Sequence, residues 1–173
     1  MLVATRYATH QEVEFKCFKL HSREWSLFIM RGILMDKGHF YYINDQYFID
    51  FPDPMLMNNK EAVNGQAHDR PCFYAFKDTN TGLYWMIPIS SQVSKLGKEK
   101  TFLIQNMCPI TSSYIKNEYV NSMANVPVRI DGVFEHMLLD KAKRVLALQR
   151  KGVKLIFPDV LSIEAKLLKQ AKG

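Results

Sequence analysis

The sequence predicts an α+β fold, with an antiparallel sheet at its centre and helices filling most of the C-terminal half. Two observations carry this expectation. Runs of aromatic and β-branched residues recur between positions 39 and 130, separated by small polar residues that tolerate turns. After Asp131 the apolar residues recur at helical spacing instead, and an aspartate precedes each of the two runs.

Taken in order, residues 1–34 pattern weakly, although Val13 to Leu20 alternates enough for a strand. They read as an N-terminal extension to a single domain spanning 35–173, a division that 173 residues and 47% hydrophobic content permit. His39 to Ile43 has the composition of a strand, Asn44-Asp45 marks a bend, and Tyr47 to Phe51 fits a short helical turn. Phe51-Pro52-Asp53-Pro54 must be extended or turned, because proline restricts itself and its predecessor. The polar stretch Asn58 to Asp69, with Asn64-Gly65 inside it, reads as an exposed loop.

Pro71 to Phe76 and Leu83 to Ile87 then form the clearest hairpin, joined by Lys77 to Gly82. Thr101 to Gln105 is a third expected strand, and Val126 to Ile130 a further one, placed at an edge or strand start by Pro127. Thr111-Ser112-Ser113 is expected to cap a short helix reaching about Val120. Asp131 precedes a longer helix whose inward face is Phe134, Met137, Leu138, Ala142, Val145 and Leu148. Gly152 sits where a helix-terminating glycine belongs, after Arg150 and Lys151. Val153 to Phe157 resembles a short buried strand, and Asp159 caps a last helix facing Val160, Ile163, Leu167 and Leu168 inward.

Composition narrows the function classes. A formal charge of +6 suits a polyanionic partner, though many proteins are mildly basic. The cysteines are Cys17, Cys72 and Cys108, an odd number without CxxC spacing, which argues against a disulfide framework or a structural zinc site and for a reducing compartment. The apolar stretch Ser26 to Met30 is cut short by Arg31, too soon for a membrane span or a signal peptide. A cytoplasmic protein with no membrane association, no cofactor and no metal is the expectation. No glycine-rich phosphate loop, HExxH or GxSxG occurs.

Reactive polar groups collect beside the strong strands at His68-Asp69-Arg70-Pro71 and at Pro88-Ile89-Ser90-Ser91-Gln92. An antiparallel hairpin returns these two segments to one end, so Arg70 should neighbour Ser90 and Ser91 at a single rim. Such a set suits a phosphodiester. Metal-free RNA cleavage needs a base for the ribose 2′-hydroxyl, donors for the charged phosphorane and an acid for the leaving oxygen. Arg70 would grip phosphate bidentately, Ser90 and Ser91 would donate, His68 or Tyr47 would move protons, and Lys95 would neutralise charge. Tyr41, Tyr42, Gln92, Lys98 and Lys100 are the candidate RNA contacts around this centre. Each has a plainer role beside it. Arg70 can be a strand-opening surface residue, the serines turn formers, His68 a solvated loop histidine, and Phe40-Tyr41-Tyr42 core rather than a stacking platform.

The ordered segments resemble a known group of toxins. Phe40-Tyr41-Tyr42-Ile43 with Tyr47, then Arg70-Pro71, then Tyr84 to Ser91, then Phe102 to Asn106 are similar in order to the ToxN-like toxins of type III toxin–antitoxin systems, including the ToxN/AbiQ and CptN groups. More distantly the chain resembles the MazF/Kid/PemK ribonucleases. The likeness covers roughly Lys37 to Lys169. It implies an SH3-like β-barrel of MazF/Kid type with packed helices, and a metal-independent endoribonuclease that cleaves mRNA to a cyclic phosphate. It further implies inhibition by a small repeated RNA antitoxin, with RNA-mediated higher-order assembly. The implied cleft matches Tyr47, Ser90 and Ser91, with Arg70 matched through the MazF-like strand opening and Lys95 as an approximate counterpart. The chain departs from such relatives in the short connection Gln92 to Lys100. Loss of a groove wall there implies reduced activity, and it keeps open a non-catalytic RNA-binding module or a MazF-like toxin with a protein antitoxin.

Overall fold

The computed structural model describes residues 35–171 except 64, 65, 91–100 and 122. The expected N-terminal extension over 1–34, the strand at Val13 to Leu20, and Ser91, Gln92, Lys95, Lys98 and Lys100 lie outside the described residues.

A curled antiparallel sheet of five strands organises the chain. Its members are β1 (Phe40–Ile43), β4 (Pro71–Lys77), β5 (Tyr84–Pro88), β6 (Cys108–Ile110) and β7 (Ile115–Glu118), in the order β6-β5-β4-β1-β7. Two small hairpins stand apart: β2 (Lys60–Val63) with β3 (Gln66–Asp69), and β8 (Val120–Asn121) with β9 (Val126–Pro127). The helices are α1 (Asp45–Asp50), α2 (Gly132–Arg150) and α3 (Val160–Gln170).

Strand alternation divides the core between the two faces of the sheet. Tyr41, Ile43, Cys72, Tyr74 and Met86 point to one face, where Tyr47 and Phe51 of the α1 region and Ile163 and Leu167 of α3 cover them. Phe40, Phe73, Trp85 and Ile87 point to the other, against Leu138, Ala142 and Leu146 of α2. Both faces of the central strands are therefore buried, which explains why β4 and β5 are almost continuously apolar. The pairing Phe40↔Phe73 and Phe73↔Ile87 places like-facing residues side by side, and a bulge between Tyr74 and Phe76 adjusts the far half of the hairpin.

The hairpin of β4 and β5 and the two long helices match the sequence reading. Gly82 has φ +73° in the connecting turn, and Asp78 closes it by donating its N–H to the Leu83 carbonyl at 2.8 Å. Asp131 accepts from the N–H groups of Val133 and Phe134, and Asp159 from that of Ser162, so both aspartates cap as expected. Gly152 ends α2 at φ +90°, a conformation that side chains resist. Arg150, in the last turn of α2, ties three elements together through Asp78 at 2.7 Å and Glu164 at 2.5 Å.

Five expectations need correction. The polar stretch from Asn58 to Asp69 is not a plain loop. It carries the β2–β3 hairpin, in register from Lys60↔Asp69 to Val63↔Gln66. The strand expected at Thr101 to Gln105 is reduced to one bridge, Ile89↔Phe102, followed by a tight 3₁₀ turn at Ile104–Asn106; the continuous pairing falls at β6. The helix expected after Thr111 is a single 3₁₀ turn at Ser112–Tyr114 with no side-chain cap, and Ile115–Glu118 is instead drawn into the sheet beside β1. Val153 to Phe157 is irregular and mostly exposed, because the Gln149 side chain accepts the N–H groups of Leu155 and Ile156 that a sheet would otherwise satisfy. The strand expected over Val126 to Ile130 survives only as β9 and a bridge from Arg129 to His39.

No helix among the described residues is long and apolar enough to cross a membrane.

Candidate functional site

The β4–β5 hairpin brings its two open ends together, as antiparallel geometry requires. Cys72 pairs with Pro88, and Ile89 donates its N–H to the Pro71 carbonyl at 3.2 Å. The residues just before Pro71 and just after Pro88 therefore share one rim. Arg70 makes the connection directly, since its Nη1 donates to the Ile89 carbonyl at 2.7 Å. Ser90 follows immediately and is held by its N–H to the Thr101 carbonyl at 3.0 Å.

The role expected of Arg70 changes at this point. It is only 8% exposed. Its Nε donates to the Asn58 carbonyl at 3.0 Å, and its backbone N–H to the Asn59 carbonyl at 2.6 Å. Two donors of the guanidinium fork thus hold protein carbonyls on either side of the rim. Arg70 is a positioning residue, clamping the 58–59 segment to the end of β5, and not the phosphate grip expected from its residue type. A guanidinium is suited to this because it is weakly hydrated and presents donors in a fixed plane.

Tyr47 also moves out of the chemistry. Its ring is fully buried on the inner side of α1, against Phe48, Phe51 and Tyr114, and its hydroxyl donates to the Pro109 carbonyl at 2.9 Å. Burial pushes its phenol well above the usual range, so it neither reaches a substrate nor releases a proton near neutrality. Tyr41 is likewise core: it is 2% exposed, and its hydroxyl accepts the Asp36 N–H at 2.7 Å. Base stacking on Tyr41 is therefore ruled out by burial. Tyr42 is half-buried and meets Tyr119 edge-on at 5.6 Å, leaving part of its ring accessible. Burial raises the phenols of Tyr41 and Tyr42 as well.

His68 is exposed on β3, opposite Glu61 in the small hairpin. Among the described residues no hydrogen bond ties it to Arg70 or Ser90. Its neighbour Asp69 is more engaged, bridging Lys116 at 2.6 Å and Lys60. The hydrogen bonds from Lys116, and then from Lys60, hold the Asp69 carboxyl below the ordinary carboxylate range. Lys60 reaches Asp45 as well, at 3.1 Å, so the hairpin is bound to α1 and β7 through charges.

Sequence reasoning missed the groove that this scaffold builds. The segment from Pro52 to Lys60 and Phe48 line an open depression of about 600 Å³. A tight cleft of about 10 Å³ shares Phe48, Leu56 and Asn58 with it and is also walled by Arg70, Pro88 and Asn106. The segment is fixed at several points. Asp159 donates its N–H to the Asp53 carboxylate at 2.8 Å, and the Asn106 side chain to the Met55 carbonyl at 3.4 Å. Buried Asn59 donates its amide to the Ile43 carbonyl at 3.0 Å and the Asp45 carboxylate at 2.6 Å, while its own Oδ1 has no partner. An unpaired buried acceptor is unfavourable by roughly 1–3 kcal/mol, and this one belongs to the groove lining. Two consecutive asparagines followed by a lysine were the only sequence signal, and alone they read as loop.

The depression offers largely apolar walls, with Lys60, already paired with Asp45 and Asp69, in its lining. Among the described residues no three His, Cys, Asp or Glu side chains gather to hold a metal ion. In comparison with known proteins, no family model and no curated sequence matches this chain.

Proposed function

We propose that the protein is an endoribonuclease toxin built on an SH3-like half-barrel of MazF/Kid type, acting in the cytoplasm and restrained by a small repeated RNA antitoxin. The observation that carries this reading is the 2.7 Å bond from Arg70 to the Ile89 carbonyl, which supports the convergence of the Arg70 and Ser90 segments at one rim beside an open groove. The resemblance of the segment order to that of ToxN-like toxins supports it as well.

In this reading RNA lies across the rim. A base removes the proton of a ribose 2′-hydroxyl, whose oxygen attacks the adjacent phosphorus. The 5′-oxygen leaves with a proton from an acid, and a 2′,3′-cyclic phosphate remains. Ser90 and Ser91 donate to the phosphorane oxygens, Lys95 offsets its charge, and His68 is the proton carrier. Gln92, Lys98, Lys100 and the exposed part of Tyr42 contact the strand. Arg70 acts through the rim it holds in place.

The removal of Tyr47 and Arg70 from direct contact favours a second reading, an RNA-binding module of the same fold without catalysis. Purified protein incubated with mixed mRNA in EDTA separates the two. Cleavage with cyclic-phosphate ends, lost in Ser90→Ala and Ser91→Ala, and a 2′-deoxy strand that binds uncut, are the expected results. Salt-sensitive binding without product supports the second reading, and the absence of any RNA binding overturns both.

A further inference from the structure

The chain's positive charge is unevenly placed. From Lys141 to the C-terminus there are nine lysines and arginines against Asp159 and Glu164, so this stretch holds the whole excess and the rest of the chain is close to neutral. Arg150 is paired with Asp78 and Glu164. Arg144, Lys151 and Lys154 are exposed, and among the described residues no carboxylate pairs with them.

The same region exposes apolar side chains that the core does not use. Val153 is 46% exposed, Leu155 37% and Phe157 48%. Single exposed apolar residues need no explanation, but three at alternate positions on a non-helical segment, with Lys154 among them and Lys151 just before, form a strip. Its backbone is held in place. Gln149 Oε1 accepts from Leu155 at 2.8 Å and from Ile156 at 3.0 Å, buried Ile156 anchors the middle, and Phe157 donates its N–H to the Gln105 carbonyl at 2.8 Å.

Gln105 connects this strip to the rim. It lies in the 3₁₀ turn that follows Phe102 and Leu103, and Leu103 donates to the Pro88 carbonyl at 3.1 Å while Phe102 bridges Ile89. The opposite end of the strip joins the C-terminus of α2, where Arg150 meets Asp78 in the β4–β5 turn. The segment thus runs from the rim toward the far end of the hairpin.

We propose that Lys151 to Phe157 is a holding surface for single-stranded RNA leaving the rim, with Lys151, Lys154 and Arg144 on phosphates and Phe157 under a base. This rests on the ribonucleic-acid reading given above and adds the path of the strand beyond the reacting phosphate. The combination of lysines with an exposed aromatic on a fixed backbone is the arrangement that single strands use, since every base has a face to stack. Charge complementarity favours this occupant over a second copy of the chain, whose identical basic strip would meet this one with like sign.

The test uses the full chain in EDTA with fluorescent RNAs of about 6 and about 20 nucleotides, both 2′-deoxy at every position that is cut. Lys151→Glu/Lys154→Glu should weaken binding of the longer strand roughly tenfold and lower the salt slope by about 1.4, two phosphates' worth, while the shorter strand is unaffected. Phe157→Ala should weaken the longer strand by about fivefold or more. These side chains are exposed, so unchanged circular dichroism and melting temperature are expected in each variant. If wild type binds both strands and the variants are indistinguishable from it, the strip falls and the ribonuclease reading stands. If wild type binds neither strand, both fall. Retention of RNA binding together with loss of binding to phosphatidylserine vesicles would assign the strip to a lipid surface and overturn the proposal.

Discussion

Replacing Arg70 with methionine keeps most of the side-chain volume and removes the guanidinium that joins the Asn58 and Ile89 carbonyls. A hydrogen bond from a charged donor contributes about 1.5–3 kcal/mol net. Asn58 is exposed, so its carbonyl regains water and the lower figure applies. Ile89 is half-buried and recovers less. The expected destabilisation is therefore about 3 kcal/mol. With a urea dependence of about 2 kcal/mol per molar, the unfolding midpoint should fall by about 1.5 M at unchanged slope. Arg70→Lys should recover little, because one ammonium on a flexible stem cannot span two carbonyls as the planar fork does. Urea unfolding followed by tryptophan fluorescence measures both variants, with Trp85 fully buried as the reporter. A methionine variant within about 0.5 kcal/mol of wild type that nevertheless loses RNA binding would refute the clamp and return Arg70 to the phosphate.

Two further outcomes follow from the same geometry. Tyr47→Phe leaves the Pro109 carbonyl buried without its donor, so stability should drop by about 1–2 kcal/mol while any RNA cleavage rate is retained; loss of cleavage in a stably folded variant would restore a chemical role to the phenol. Asp69 has a folded-state pKa below its unfolded value, so its contribution is present above about pH 4 and is lost as pH falls through the lower, folded value. Wild type should accordingly exceed Asp69→Asn in urea midpoint at pH 7, with the gap closing toward pH 3; a gap independent of pH would show that the Lys116 and Lys60 contacts do not carry it.

The parts of the fold that were legible in the chain are those whose signals are local. Pro71 to Phe76 and Leu83 to Ile87 are apolar on both faces and flank a polar turn closed by Gly82, so little besides a hairpin fits. Asp131, Gly152 and Asp159 announce helix ends through groups that cap within one turn. Where several local readings were open, partners elsewhere chose among them. Ile115 to Glu118 has no capping group holding it as a helix and pairs with β1. Thr101 to Gln105 has strand composition, yet the neighbour β5 pairs with Cys108 to Ile110 and leaves only a bridge at Phe102. Val153 to Phe157 lost its expected pairing to a glutamine side chain six residues back.

The candidate site divides in the same way. Antiparallel pairing alone required that the segments holding Arg70 and Ser90 meet at one end of a hairpin, and this followed from residue order. Which atoms those side chains would serve did not. A buried tyrosine and an active one have the same sequence, and only packing of α1 under the sheet seals Tyr47. An arginine before a proline can face solvent, phosphate or carbonyl oxygen. The chain's own 58–59 segment supplies the carbonyl that turns Arg70 inward. Local chemistry thus specified the strands, caps and charge of this protein, whereas burial and long-range hydrogen bonding decided the duty of each reactive group, because desolvation depends on neighbours distant in the sequence.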